Sequence, residues 1–255
     1  MIYLKDYKTE IHNWNKTAEK KTLKNTLKRI GNLQYKMFAE EKHSLLLVLQ
    51  GMDASGKDGL IRKLFKYCNP VSIAVKSYKK PTPEEYAHDF LWRVHEHSPK
   101  KGWVQVFIRS HYEDILVPTV EGFLPAELIE QRYELINEFE KLLEHNGTQI
   151  VKCYLHVSKE EQERRLKERL TVREKYWKHN DGDWETRKKF DSYMKVYERI
   201  INRCNTVPWH IVPSDSNSLK LSVVANVVLK ELEDMQMKWP DLQTDIEDIH
   251  HPELK

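Results

Sequence analysis

The densest chemistry in the chain is a lysine framed by glycines. Gly51-Met52-Asp53-Ala54-Ser55-Gly56-Lys57-Asp58-Gly59 has the G-x-x-x-x-G-K spacing and holds three of the chain's eight glycines. Glycines let successive backbone N–H groups turn inward on an anion, a lysine adds a mobile cation, and the positive end of a following helix adds its dipole. Gly51, Ala54, Ser55, Gly56, Lys57, Asp58 and Gly59 are thus the expected phosphate cradle. After Lys57, where Ser or Thr commonly ligates Mg²⁺, stands Asp58, and a second carboxylate stands at Asp53. Acids in a polyanion loop need a cation between them and the phosphates. Mg²⁺ is therefore expected, held partly by a loop carboxylate, with Mn²⁺ able to substitute. The plainer alternative is a glycine turn joining a strand to a helix.

A second polar cluster, Arg109-Ser110-His111-Tyr112-Glu113-Asp114, closes the apolar run Trp103–Ile108. A second acid must reach the same metal from a neighbouring strand end. Asp114 is the candidate, with Glu113 second, and Arg109 offers a fork for phosphate. Lys79 and Lys80 precede a helix start after a strand, where open α/β sheets bind ligands. Asp89 and Arg93 are spaced i, i+4, which also describes a simple helical ion pair. Arg165, Arg169 and Arg173 recur every fourth residue as a row of guanidinium groups, although interleaved glutamates equally suit a solvated helix.

The elements that must position these groups follow from periodicity. Leu45–Leu49 reads as a buried strand before the loop, and Leu60, Ile61, Leu64 and Phe65 as one face of the helix after it. A helix is expected over about 16–42, strands over 71–75, 103–108, 149–156 and 209–213, and a helix from the Thr82 capping box toward Ser98. Helices follow over 130–144, from the Ser158 capping box, over 185–205 and over 219–237. Residues 175–184 suit a loop that folds over something. The order is β–α repeated around one parallel sheet flanked by helices, an α/β fold, here taken as one domain over 1–255 with an acidic tail over about 240–255.

Bulk composition is globular, with 32% charged and 40% hydrophobic residues, and the net charge of +3 is too small to imply nucleic-acid binding. Three cysteines without C-x-x-C spacing suggest neither disulfides nor zinc, and His95, His97, His250 and His251 lack ligand spacing with a third partner. No apolar run approaches a membrane span and no signal peptide opens the chain, so a cytoplasmic protein without a membrane partner is expected.

Taken together, GMDASGKDG at 51–59, NP at 69–70, the KPTPEE stretch around 79–85, HDFLWR at 88–93, KKGWVQVF at 100–107, RSHYED at 109–114, SKEEQ at 158–162, WK at 177–178, DSYMKVYE at 191–198 and PWHIVPSD at 208–215 resemble the family-2 polyphosphate kinases. The resemblance covers about residues 20–230. It implies a thymidylate-kinase-like P-loop NTPase fold with a helical lid over about 158–190, and Mg²⁺-dependent phosphoryl transfer between inorganic polyphosphate and a nucleotide. It places the metal on Asp53 and Asp114, phosphates on Lys57, Arg165, Arg169 and Arg173, and the nucleotide near Lys79, Asp89, Arg93 and Arg109, and it implies a homodimer or homotetramer. Ile108 in place of Asn, Pro118-Thr119 in place of a hydrophobic-Arg pair and Asn217-Ser218 in place of Lys-Trp depart from the family pattern. Two other functions fit the loop: an ATP-dependent nucleoside monophosphate kinase of the same fold, and a phosphate-loop binding module without transfer activity.

Overall fold

The computed structural model describes residues 1–11 and 14–243. Five parallel strands form one sheet in the order β2-β3-β1-β4-β5: β1 Ser44–Gln50, β2 Ile73–Ser77, β3 Val104–Ile108, β4 Thr148–His156 and β5 Trp209–Pro213. Every residue of β1 is buried, as an apolar run covered on both faces must be. Its register sets Leu49 beside both Ile108 of β3 and Cys153 of β4. The C-terminal ends of β1 and β3 therefore adjoin, and the glycine loop and the Arg109 cluster leave the sheet side by side.

Helices cover both faces. On one side α1 (Lys16–Glu40), α2 (Lys57–Leu64) and α10 (Asn217–Asp234) pack on Leu45, Leu47 and Leu49. On the other, α5 (Glu113–Glu121), α6 (Ala126–His145) and α9 (Phe190–Arg203) pack on Leu46, Val48 and Phe107. The alternation of β1 side chains between two apolar clusters is the period-two signature of a strand.

The helix expected from Thr82 toward Ser98 is two short ones, α3 (Pro83–Ala87) and α4 (Trp92–His95). The reason is Asp89, whose Oδ1 accepts from Leu91 N at 2.9 Å and offers the backbone a turn instead of a helix. Asp89 and Arg93 therefore share no helix and form no i, i+4 pair. The Thr82 capping box itself is present, with Pro83 at the first helical position.

Residues 175–184 are not an irregular loop. After α7 (Lys159–Thr171) a 3₁₀ turn spans Arg173–Lys178, and α8 (Asp181–Lys188) starts from an Asn180 cap. The single helix expected over 185–205 is thus the end of α8 and then α9. The acidic tail is described only to Leu242 and Gln243, which are exposed; its remainder, with His250 and His251, lies outside the described residues.

Candidate active site

The sequence builds the loop through backbone conformations that few residues adopt. Gly51 has φ 144° and Gly56 φ 92°, and Ala54 takes φ 62° without being glycine, a local strain that loops at functional sites commonly carry. A Cβ on Gly51 would come within 2.7 Å of the Leu155 carbonyl oxygen, so no side chain fits there. The first backbone bond of α2 runs from Leu60 N to Gly56 O at 3.2 Å, which leaves the amides of Lys57, Asp58 and Gly59 in the helix's open first turn. Lys57 lies back over the loop, its Nζ donating to Gly51 O at 2.7 Å and Met52 O at 3.0 Å. Burial pushes its ammonium down to about 8, against the pull of Asp53.

From the end of β3, Arg109 reaches the same point. It sits at φ 60° and its guanidinium donates to Asp53 Oδ1. Burial alone would raise the Asp53 carboxyl, but Arg109 and Lys57 outweigh it and hold the group below the usual carboxylate range. Beneath the Arg109 turn a buried network fixes its course: Lys152 Nζ donates to Glu140 Oε2 at 2.7 Å, to Tyr112 OH at 2.9 Å and to Cys204 O at 2.9 Å. With Tyr112 pinned, the next two residues, Glu113 and Asp114, open α5 in fixed positions.

Asp53 and Asp114 line one cavity, as expected, but they do not share neighbours. Asp114 Oδ2 accepts from Arg93 at 2.7 Å and its backbone carbonyl from Arg132. Burial raises its carboxyl, and Arg93 pulls it back. Glu113 is instead the acid that feels Arg109, Lys57 and Asp53, with burial driving its carboxyl upward. Glu113 thus faces the charges of the loop, and Asp114 faces Arg93.

Two cavities meet here. One, of about 710 Å³, runs from Asp53 past Tyr78, Arg93 and Asp114 to an aromatic and apolar wall that includes Phe90, Pro118 and Phe123. The other, of about 600 Å³, lies over the loop and α2 beneath α7 and the 3₁₀ turn, and its described lining carries eleven lysines and arginines against four acids. Asp53, Lys79 and Arg109 line both. A charged junction thus separates a room suited to a flat apolar group from a channel suited to a long anion.

The arginine row is only partly as expected. Arg169 lines the channel, bonded to Asp183 and to Lys178 O. Arg173 falls outside the row because the chain turns extended at Val172 and ends α7, leaving Arg173 exposed. Arg165 is buried and holds the back of the loop, donating to Ala54 O and Ser55 O at 3.1 Å and to Ser214 O at 2.7 Å. It braces the loop and also lines the channel. Arg165→Ala leaves those carbonyls unpaired and should cost about 3 kcal/mol of stability, read as a fall in Tm, whereas Arg173→Ala should leave Tm unchanged.

Sequence reading missed Lys220. Only 1% exposed, it donates to Ser55 O at 2.6 Å, and burial, with Arg165 and Lys57 nearby, lowers its ammonium to about 7. Its place among Leu219, Leu221 and Val224 on an apolar helix was the only available signal. Asp58 lines the channel with its carboxylate exposed, 3.9 Å from Lys178.

The donor chemistry fits a hard divalent cation. Asp53 and Glu113 both line the aromatic cavity, and among the described residues no group of three His, Cys, Asp or Glu side chains could cage a metal by itself. Mg²⁺ is commonly bound by one or two carboxylates, with water and substrate phosphate completing its octahedron. Nor is any described helix long and apolar enough to cross a membrane.

Comparison with known proteins bears on this geometry. The family model described as Polyphosphate kinase 2 (PPK2) matches residues 13–240. An AMP/ADP-polyphosphate phosphotransferase of Meiothermus ruber is 43% identical over 224 residues, spanning 87% of this chain and 84% of the relative. An ADP-polyphosphate phosphotransferase of Rhodopseudomonas palustris is 36% identical, spanning 86% of this chain and 81% of the relative. Among solved structures, polyphosphate kinase 2 from Arthrobacter aurescens superposes with a TM-score of 0.92 at 37% identity, covering 96% of this chain and 90% of that one.

Proposed function

We infer that this chain, which belongs to the polyphosphate kinase 2 family, is a phosphotransferase that moves a phosphoryl group between inorganic polyphosphate and a nucleotide. One observation carries the assignment of sites: the two cavities share Asp53, Lys79 and Arg109 and differ in character. A linear polyanion has no base or sugar to recognise, so its site need only be a row of cations. The channel over the loop supplies that row. A nucleotide needs a surface for its base, and the aromatic cavity supplies it. With the base at the far wall, the nucleotide phosphates reach the junction, where the terminal phosphate of the polymer arrives from the other side.

Phosphoryl transfer passes through a loose in-line transition state, so the protein positions and neutralises rather than forming covalent bonds. In this reading Lys57 and the open amides of α2 hold the transferring group, Arg109 bridges donor and acceptor, and Asp53 orients the attacking oxygen. Asp53 and Glu113 are the residues that would hold Mg²⁺, which would supply charge neutralisation for the phosphates there. Asp114, committed to Arg93, is left out of that set. Glu113→Gln should therefore raise the Mg²⁺ concentration needed for half-maximal rate about tenfold, while Asp114→Asn should not; a titration of rate against Mg²⁺ distinguishes them.

Lys57 also sets a pH dependence. Its folded value of about 8 lies below the ordinary lysine value of 10.5. Between these limits the unfolded chain binds more protons than the folded one, so the free protein gains stability as pH rises through that window. Activity moves oppositely: kcat/KM for polyphosphate should fall as pH rises past about 8, because the lysine loses the charge that binds phosphate. A rate profile from pH 6.5 to 9.5, beside Tm over the same range, checks both signs.

The decisive experiment offers AMP, ADP, GMP and GDP with polyphosphate and Mg²⁺ and no other phosphoryl donor. Formation of ATP from ADP supports the proposal. No product without added ATP would favour the nucleoside monophosphate kinase, and salt-dependent oligonucleotide binding without turnover would favour a binding module. Light scattering tests the dimer or tetramer that the family resemblance implies.

A further inference from the structure

The small net charge of +3 conceals a division of charge between the two faces of the sheet. α1 carries seven lysines and arginines against two glutamates, whereas α6, on the opposite face, carries six glutamates against Arg132 and Lys141. Within α1 the lysines Lys16, Lys20, Lys24 and Lys28 recur every fourth residue, and all four are exposed. Arg29 pairs with Glu233 at 2.7 Å, but among the described residues none of these four lysines has an acidic partner. Glu19, the one acid in this half of α1, sits seven residues before buried Thr26 and so lies toward the packed side. Like charges at four-residue spacing repel along a helix, so the row does nothing for the fold by itself.

The row leads toward the channel. Gly31 meets the end of α2 so closely that a Cβ there would stand 2.3 Å from Tyr67 O, and Gln34 accepts from Asn69 N at 2.9 Å. Lys28 and Lys24 precede Gly31 by three and seven residues and Lys20 precedes Lys24 by four, so all three stand on the flank of α1 that adjoins α2. Beyond that contact the positive charge continues. Lys66 lies over the Tyr67 ring, 5.6 Å from its centre, and Arg62 and Lys63, a turn earlier, line the cationic channel. No acid interrupts the chain from Leu60 to Lys66. The geometry points to an outer anion track, in which Lys20, Lys24 and Lys28, joined to the channel through Lys66, hold the distal stretch of a long polyphosphate chain whose end lies at the junction. A linear polyanion longer than the channel must leave it, and a path of unpaired ammonium groups is the exit its charge favours. The inference rests on the reading of the channel as the polyphosphate site and adds to it a preference for long donors.

The experiment compares tetrapolyphosphate, short enough for the channel alone, with a long polymer as donors to ADP at saturating Mg²⁺ over a range of NaCl concentrations. The wild-type chain should show a KM per chain end about tenfold lower for the polymer. The triple variant Lys20→Gln, Lys24→Gln, Lys28→Gln should remove that preference by raising the polymer KM, with the tetrapolyphosphate KM within about twofold of wild type. It should also flatten the dependence of log KM on log salt for the polymer by about two units. The corresponding triple arginine variant, which keeps the charges, should retain both properties, and Lys24→Gln alone, expected to lose part of the preference, serves if the triple glutamine variant unfolds. No length preference in the wild type, equal KM changes for both donors, or an unchanged salt slope would each overturn the track. Loss of single-stranded oligonucleotide binding in the triple glutamine variant, with the polymer preference intact, would overturn it in favour of nucleic acid. Failure of the channel reading itself looks different: neither donor would then yield ATP from ADP.

Discussion

Asp53→Asn is expected to reduce kcat for polyphosphate-driven ATP formation on the order of a thousandfold while leaving the fold intact. The size of the loss follows from position. Asp53 is the acid that lines both cavities, and it is kept ionised by Arg109 and Lys57 despite its burial. The amide conserves shape and one acceptor for Arg109 but removes the negative charge that a divalent cation requires. Stability should move little, because the charged partner is a half-buried arginine whose other surface stays in solvent. Rates under saturating Mg²⁺, together with thermal unfolding, test both halves. Wild-type turnover in Asp53→Asn would remove the loop carboxylate from the chemistry, and a collapse of Tm would make it a structural residue instead.

Legibility in the sequence divided along the range of the interactions involved. The glycine loop was readable because its requirement is local: positive φ at Gly51 and Gly56, and an amphipathic helix directly after. The Thr82 and Ser158 caps were readable for the same reason. The pairing of β1 between β3 and β4 depends on contacts between distant segments, and no single stretch encodes it. Arg165, Arg169 and Arg173 show the limit well, since equal spacing predicts equal roles. Arg165 instead fell under the loop, Arg169 faced the channel, and Val172 ended the helix before Arg173. Glu113 and Asp114, adjacent in sequence, point to different neighbours because successive helical residues lie about 100° apart. Choosing between them required knowing where Arg93 would stand, and that depended on Asp89 breaking the preceding helix.

Lys57→Met should lower kcat/KM for polyphosphate by about a hundredfold or more, and its effect on stability should be opposite to its effect on rate. In the free protein Lys57 is 8% exposed and satisfied only by carbonyls and the Ser55 hydroxyl. Holding a cation there is costly, because burial strips the ammonium of water and lowers it to about 8. Methionine matches the length of the chain's apolar part and needs no partners, so the variant should unfold at the same temperature as wild type or a few degrees higher at pH 7. Binding reverses the balance, because a phosphate at the loop supplies the negative charge that the buried ammonium lacks, and the lysine can then exchange its loop carbonyls for phosphate oxygens. Polyphosphate should accordingly raise the Tm of wild type more than that of Lys57→Met. Calorimetric titration near pH 8 in two buffers of different ionisation enthalpy should show proton uptake on binding to wild type and less in the variant. Equal Tm shifts and equal proton uptake in both would mean that the lysine does not meet the polyanion, and the assignment of the cationic channel as the donor site would fail with it.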